Sequence, residues 1–166
     1  YETAYDTAPE GEKEAAYENV VYPFGYGLSY TSFAWEPVED EAMAAIGSAD
    51  QKIVIRVKVT NTGAVAGKDV VQVYVNPPYT EGGIEKATAN LVGFAKTKLL
   101  QPGESETVEV AFVAQDMASF DWNDANGNDF QGYELEAGTY AVSARFDSHN
   151  IAFTKEFTVA EGILCD

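Results

Sequence analysis

Three groups of residues have types that carry chemistry in other proteins. Asp147-Ser148-His149 offers the side chains of a nucleophilic triad, and His149 is the sole histidine. A triad needs convergence in space, with the base held between nucleophile and acid. Neighbours in one turn do not supply it, so they read as a solvated turn. Asp121, Asp124, Asn126, Asn128 and Asp129 present oxygen ligands of the kind calcium takes. Their spacing lacks the bidentate Glu that closes such a loop, and a polar hairpin tip is the expected role. Cys165 has no Cys or His partner for a zinc site, and no glycine-rich phosphate loop is present. No catalytic residue, metal or cofactor is therefore expected. A fourth group is aromatic. Trp35, Tyr74, Tyr79 and Trp122 can offer flat faces to sugar rings, and Trp35, Tyr79 and Trp122 are the possible sugar contacts. Aromatic side chains of a β domain otherwise fill the core or an interdomain surface.

The elements that would position these residues are mostly strands. Ile53, Ile55, Val57 and Val59 alternate with Arg56 and Lys58, the period-two mark of a half-buried strand. Thr60-Asn-Thr-Gly63 ends it with turn residues. Val70–Val75 is the next strand, stopped by Pro77-Pro78, and a long polar loop with Gly82-Gly83 follows. Leu91-Val-Gly-Phe94 opens another. Gln101-Pro-Gly103 reads as a turn, with Pro where its fixed φ is suited. Val108, Val110 and Phe112 share one strand face. Asn126-Gly127 signals a small extra hairpin. Tyr140, Val142, Ala144 and Phe146 form one further strand face. Ile151, Phe153, Phe157 and Val159 form the last, with Lys155 as its exception. About seven main strands with frequent turns predict an all-β immunoglobulin- or fibronectin type III-like sandwich. Tyr140, just after Glu-Ala-Gly-Thr, is either a tyrosine corner, its hydroxyl bonding backbone upstream, or an ordinary core tyrosine.

The totals agree with one domain. The chain has 166 residues, 46% of them hydrophobic and 13% aromatic, which is globular rather than disordered. A formal net charge of −17 makes nucleic acid and anionic membranes poor partners. No run of apolar residues is long enough for a membrane span. The charge is uneven: residues 1–50 carry −10, residues 51–100 carry +4 and residues 101–166 carry −11. A basic middle between acidic ends is either a docking surface or charge on the solvent faces of strands. One cysteine allows no internal disulfide. The absence of an Asn-x-Ser/Thr sequon assigns no compartment. Residues 1–19 read as an acidic linker or arm, residues 20–160 as the domain, and residues 161–166 as a truncated connection.

The segment Pro23-Phe-Gly-Tyr-Gly-Leu-Ser-Tyr-Thr-Ser-Phe33 stands apart, with four aromatics, two glycines and a proline in eleven residues. Its glycines permit φ > 0 or close approach, and its aromatics can bury a large area. This segment resembles the entry to the C-terminal-type domain of glycoside hydrolase family 3 enzymes. Val57–Gly63, Ala66-Gly67 and Val70-Val-Gln-Val-Tyr74 look like that domain's second and third strands. Leu91–Phe94, Lys96, Leu99 and Pro102-Gly103-Glu104 are similar to its next pair. The resemblance spans residues 20–160 and implies a fibronectin type III-like domain of a β-glucosidase or related exo-glycosidase. The stretch Asp121–Gly132 is longer than the family's tight hairpin, which suggests a subgroup, some members of which are permuted.

In such enzymes the resemblance places the aspartate nucleophile on a (β/α)8 barrel and the acid/base residue on an α/β sandwich domain. Hydrolysis is of the retaining type, with carboxyl groups about 5–5.5 Å apart, and no carboxylate here takes either role. The partners it implies are those two domains, with an oligosaccharide possible. Within residues 20–33, the junction segment, Pro23, Phe24, Tyr26, Leu28, Tyr30 and Phe33 are the expected interdomain contacts. An accessory domain bracing the catalytic domains is the leading reading. The alternatives are a carbohydrate-binding module with an aromatic platform and a structural or adhesion sandwich.

Overall fold

The computed structural model describes residues 21–38 and 45–165. The arm expected over residues 1–19 lies outside the described residues, as do residues 39–44. The described chain has regular elements that are almost all strands. It runs β1 (Phe33–Pro37), β2 (Ala45–Ile46), β3 (Lys52–Asn61), β4 (Val70–Asn76), β5 (Asn90–Lys96), β6 (Ser105–Val113), β7 (Ser119–Asp121), β8 (Gly132–Leu135), β9 (Gly138–Arg145), β10 (Ile151–Val159) and β11 (Ile163–Cys165). One sheet has the order β1-β3-β6, and the second has β2-β10-β9-β4-β5. Inward side chains from both build one core, with Ile53, Ile55, Val57 and Val59 facing Val71, Val73, Val75, Val142 and Ala144. These two sheets hold eight strands, the seven expected of the sandwich and the two-residue β2. The third sheet, β11-β8-β7, is an addition. It contains the expected extra hairpin, and it turns residues 163–165, read as a connection, into a strand paired with β8.

Turn chemistry explains the corners. Glu104 N–H bonds Gln101 C=O at 2.9 Å across Pro102-Gly103, and Gly103 has φ +79°, a conformation that favours glycine. The Tyr140 hydroxyl donates to the Glu136 carbonyl at 3.1 Å, so it is the tyrosine corner. Asp147, almost fully buried, accepts from His149 N–H, Asn150 N–H and the Asn150 amide. That Asx turn closes β9 onto β10.

Two strand faces differ from the pattern. Ile151 does not share a face with Phe153 and Phe157. A register irregularity between Ile151 and Phe153 pairs it with Arg145, and it is exposed. One extra residue reverses which side a strand residue faces. Phe146 lies beyond the end of β9, half-exposed, with its ring 4.3 Å from that of Trp35.

Candidate functional site

The junction segment lies over the sandwich and is tied at both ends. At its start Pro23 is buried, and Tyr26 N–H bonds Pro23 C=O at 3.0 Å, which makes a turn. Gly25 has φ +80°, and a Cβ there would stand 2.1 Å from Gln72 Oε1. Only glycine fits this backbone at this distance. Ser148 N–H donates to Phe24 C=O at 2.8 Å, and Gln72 Nε2 donates to Gly25 C=O at 2.8 Å and Phe146 C=O at 3.0 Å. Beneath, the Tyr74 hydroxyl donates to Gln72 Oε1 at 2.8 Å, and the Arg145 guanidinium sits 5.2 Å from the Tyr74 ring centroid. Arg145 donates to Ser143 Oγ at 2.7 Å and to Ser148 C=O at 2.6 Å. This polar cluster is buried on the outer face of the five-stranded sheet.

At the far end the anchor is Asn61, fully buried at the end of β3. Its Oδ1 accepts from Thr31 Oγ1 at 2.9 Å and Gly63 N–H at 3.0 Å. Its Nδ2 donates to Val65 C=O and Leu100 C=O, both at 2.9 Å. Thr62 and Gly63 N–H groups bond Ser32 C=O at 2.8 and 3.2 Å. Gly67 leaves room for Thr31, whose Cγ2 a Cβ there would approach to 2.5 Å. The Thr60–Gly63 and Ala66-Gly67 motifs thus receive the junction as well as turning the chain.

Between the anchors the segment presents apolar side chains outward. Phe24, Tyr26, Leu28 and Tyr30 are exposed by 57, 44, 86 and 103% of their full areas. Tyr22 packs beside Tyr26, ring centroids 5.0 Å apart. Pro23 is buried, and Phe33 is partly buried and packs against the core of its own domain.

Residues 69–148 match the family model for a fibronectin type III-like domain. The chain has the fibronectin type III-like fold. It is 47% identical over 115 residues to β-glucosidase A of Butyrivibrio fibrisolvens, covering 64% of this chain and 14% of that protein. It is 42% identical over 147 residues to a β-glucosidase of Ruminococcus albus, covering 86% of this chain and 14% of that protein. A solved β-glucosidase from Paenibacillus barengoltzii superposes with a TM-score of 0.77 at 36% identity, covering 91% of this chain and 16% of that one. The chain therefore spans about one-seventh of the curated relatives it matches.

The other candidate residues of the fibronectin type III-like domain separate into pinned and open ones. Trp35 is half-buried. Its Nε1 donates to Asp69 Oδ2 at 2.7 Å and its ring lies on Phe146, so its faces are in use. Burial pushes the Asp69 carboxyl above its usual range, and the bonds from Trp35 and Val70 N–H partly offset this. Tyr74 is buried. Tyr79 and Trp122 are exposed. Trp122 lines a groove of about 230 Å³ with Gly82–Glu85, Phe120 and Asn123. Ile84, in its lining, is buried, and nearby Lys86 pairs with Glu136 and donates to Pro78 C=O at 2.6 Å.

The oxygen-rich hairpin closes on itself. The buried Asp121 carboxylate accepts from Asn123 and Ala125 N–H groups. Burial would raise its pKa, but backbone N–H bonds outweigh that and hold it below the usual range. Asp124 accepts from Asn128 and Asp129 N–H, while Glu134 accepts from the Asn126 and Asn128 amides. Asp147 and Ser148 serve the β9–β10 turn and the junction. Sequence reasoning missed Gln72, Arg145 and Asn61, and it read Tyr74 as a flat face for a sugar although it is buried beneath the junction. A glutamine alternating with valines looks the same whether its face is covered or wet.

Proposed function

We propose that this domain is a non-catalytic accessory unit of a family 3 β-glucosidase, fastened by its junction segment to an α/β sandwich domain and a (β/α)8 barrel. The whole protein would hydrolyse terminal β-glycosidic bonds with retention, using carboxylates that lie outside this chain. The reading is carried by Phe24, Tyr26, Leu28 and Tyr30. Four large apolar side chains project from a backbone that the domain already holds in place. An ordinary solvated loop gains nothing from that arrangement, whereas a preorganised ridge loses little entropy on docking.

The test is Leu28→Ser with Tyr30→Ser in the full-length enzyme. Its thermal inactivation temperature should fall and aryl β-glucoside turnover with it, while far-UV circular dichroism stays that of a folded protein. Unchanged inactivation and turnover would refute bracing. The isolated chain should turn over no aryl glucoside, and turnover above contamination would refute the non-catalytic assignment.

A second reading rests on the open face of Trp122 beside its groove, where an oligosaccharide can stack. Quenching of tryptophan fluorescence by gluco-oligosaccharides, lost in Trp122→Ala, would support it. A flat titration would end it.

A further inference from the structure

The outer face of the five-stranded sheet carries apolar groups where a free sandwich alternates to polar ones. Register places Phe94 of β5 directly beside Gln72 of β4, Gln72 beside Arg145 of β9, and Arg145 beside Ile151 of β10. In this row the middle pair is buried, while Phe94 is 69% and Ile151 52% exposed. The junction crosses over the middle, with Gly25 lying on Gln72 and Phe24 C=O bonded to Ser148. Phe94 therefore flanks the junction on one side and Ile151 on the other. Leu91, paired with Tyr74, lies in the adjacent row and is also exposed. With Phe24 and Tyr26 these side chains leave apolar surface on the order of 400 Å², the scale at which patches mark interaction sites.

We infer that Phe94, Ile151 and the Pro23–Tyr26 turn form one continuous docking face, and that its occupant is an apolar surface of a neighbouring domain in the same polypeptide. The inference rests on the reading of the chain as an accessory unit, and it extends the contact from the junction to the sheet. Three observations favour this occupant over a second copy of the chain. The patch is continuous with the junction. It surrounds a buried polar cluster whose hydrogen bonds already lie within the domain, so what remains to be covered is apolar. The relatives carry most of their length outside this domain.

The test places a photo-crosslinking benzoylphenylalanine at position 94, and separately at position 28, in the full-length enzyme, with crosslinked peptides mapped by mass spectrometry. Position 94 is expected to crosslink within one chain to a peptide outside residues 1–166, and position 28 likewise. Hydroxyl-radical oxidation of the unmodified enzyme keeps the question open to refutation if the variants do not fold. Phe94 and Ile151 should be oxidised about tenfold less than in the unfolded enzyme, as at a desolvated interface core. Crosslinks from position 28 but not 94, with Phe94 oxidised freely, would overturn this inference and leave the bracing reading intact. Silence at both positions would overturn both. Crosslinks between chains, or to residues 1–20, would assign the face to another occupant and overturn it.

Discussion

Replacing Asn61 should loosen the far anchor of the junction by an amount that the geometry sets. The side chain makes four hydrogen bonds from full burial. At about 0.5–1.5 kcal/mol each, their loss spans roughly 2–6 kcal/mol. The upper half of that range is excluded by what the partners keep. Leu100 C=O still accepts from Gly67 N–H, and Gly63 N–H still reaches Ser32 C=O. Asn61→Ala should therefore cost about 3 kcal/mol, lowering the unfolding midpoint by roughly 6–12 °C for a domain of this size. Asn61→Asp separates hydrogen bonding from cavity formation. It keeps the volume and the Oδ1 acceptor but turns the donor toward Val65 C=O and Leu100 C=O into an anionic oxygen.

At neutral pH Asn61→Asp should be at least as damaging as Asn61→Ala. A buried carboxylate facing two carbonyls has a folded pKa above its unfolded one. Its penalty is full above the folded pKa and vanishes below the unfolded pKa, so acid should restore stability toward wild type. Urea unfolding of the chain, followed by fluorescence at several pH values, measures this. If Asn61→Asp matched wild type within about 0.5 kcal/mol at neutral pH, the amide would not be donating to those carbonyls. The account of this anchor would then be wrong.

Gly67→Ala should destabilise by about 1–2 kcal/mol because its Cβ meets the Thr31 methyl at 2.5 Å. Adding Thr31→Ser removes that methyl, and denaturant unfolding should show most of the loss recovered. Asp69 has a raised folded pKa, so wild-type stability should decline as pH rises through that value and be relieved below the unfolded carboxylate pKa of about 3.9. Asp69→Asn should flatten this decline in pH-resolved unfolding curves, and an unchanged slope would assign it to another group. Tyr140→Phe deletes the bond to Glu136 C=O and should cost about 1 kcal/mol in equilibrium unfolding.

The alternating strands, the turns that need Pro and Gly, and the distinctiveness of the junction are legible in residue order. These are local properties. A period of two along β3 and β6 reports its buried face without reference to partners. A Pro-Gly pair selects its own backbone angles, as at Pro102-Gly103. What covers what depends on contacts between distant parts of the chain. In β4, Gln72 and Tyr74 alternate with core valines as solvent-facing residues would, yet they are buried, because a segment some forty-seven residues earlier lies over them. Trp35 is composed like a sugar platform, but Asp69 and Phe146 occupy it. Ile151 fits a core pattern, but a register irregularity turns it out beside the junction. Burial of a side chain depends on the chain that arrives from elsewhere, and residue order along one strand carries no record of that arrival.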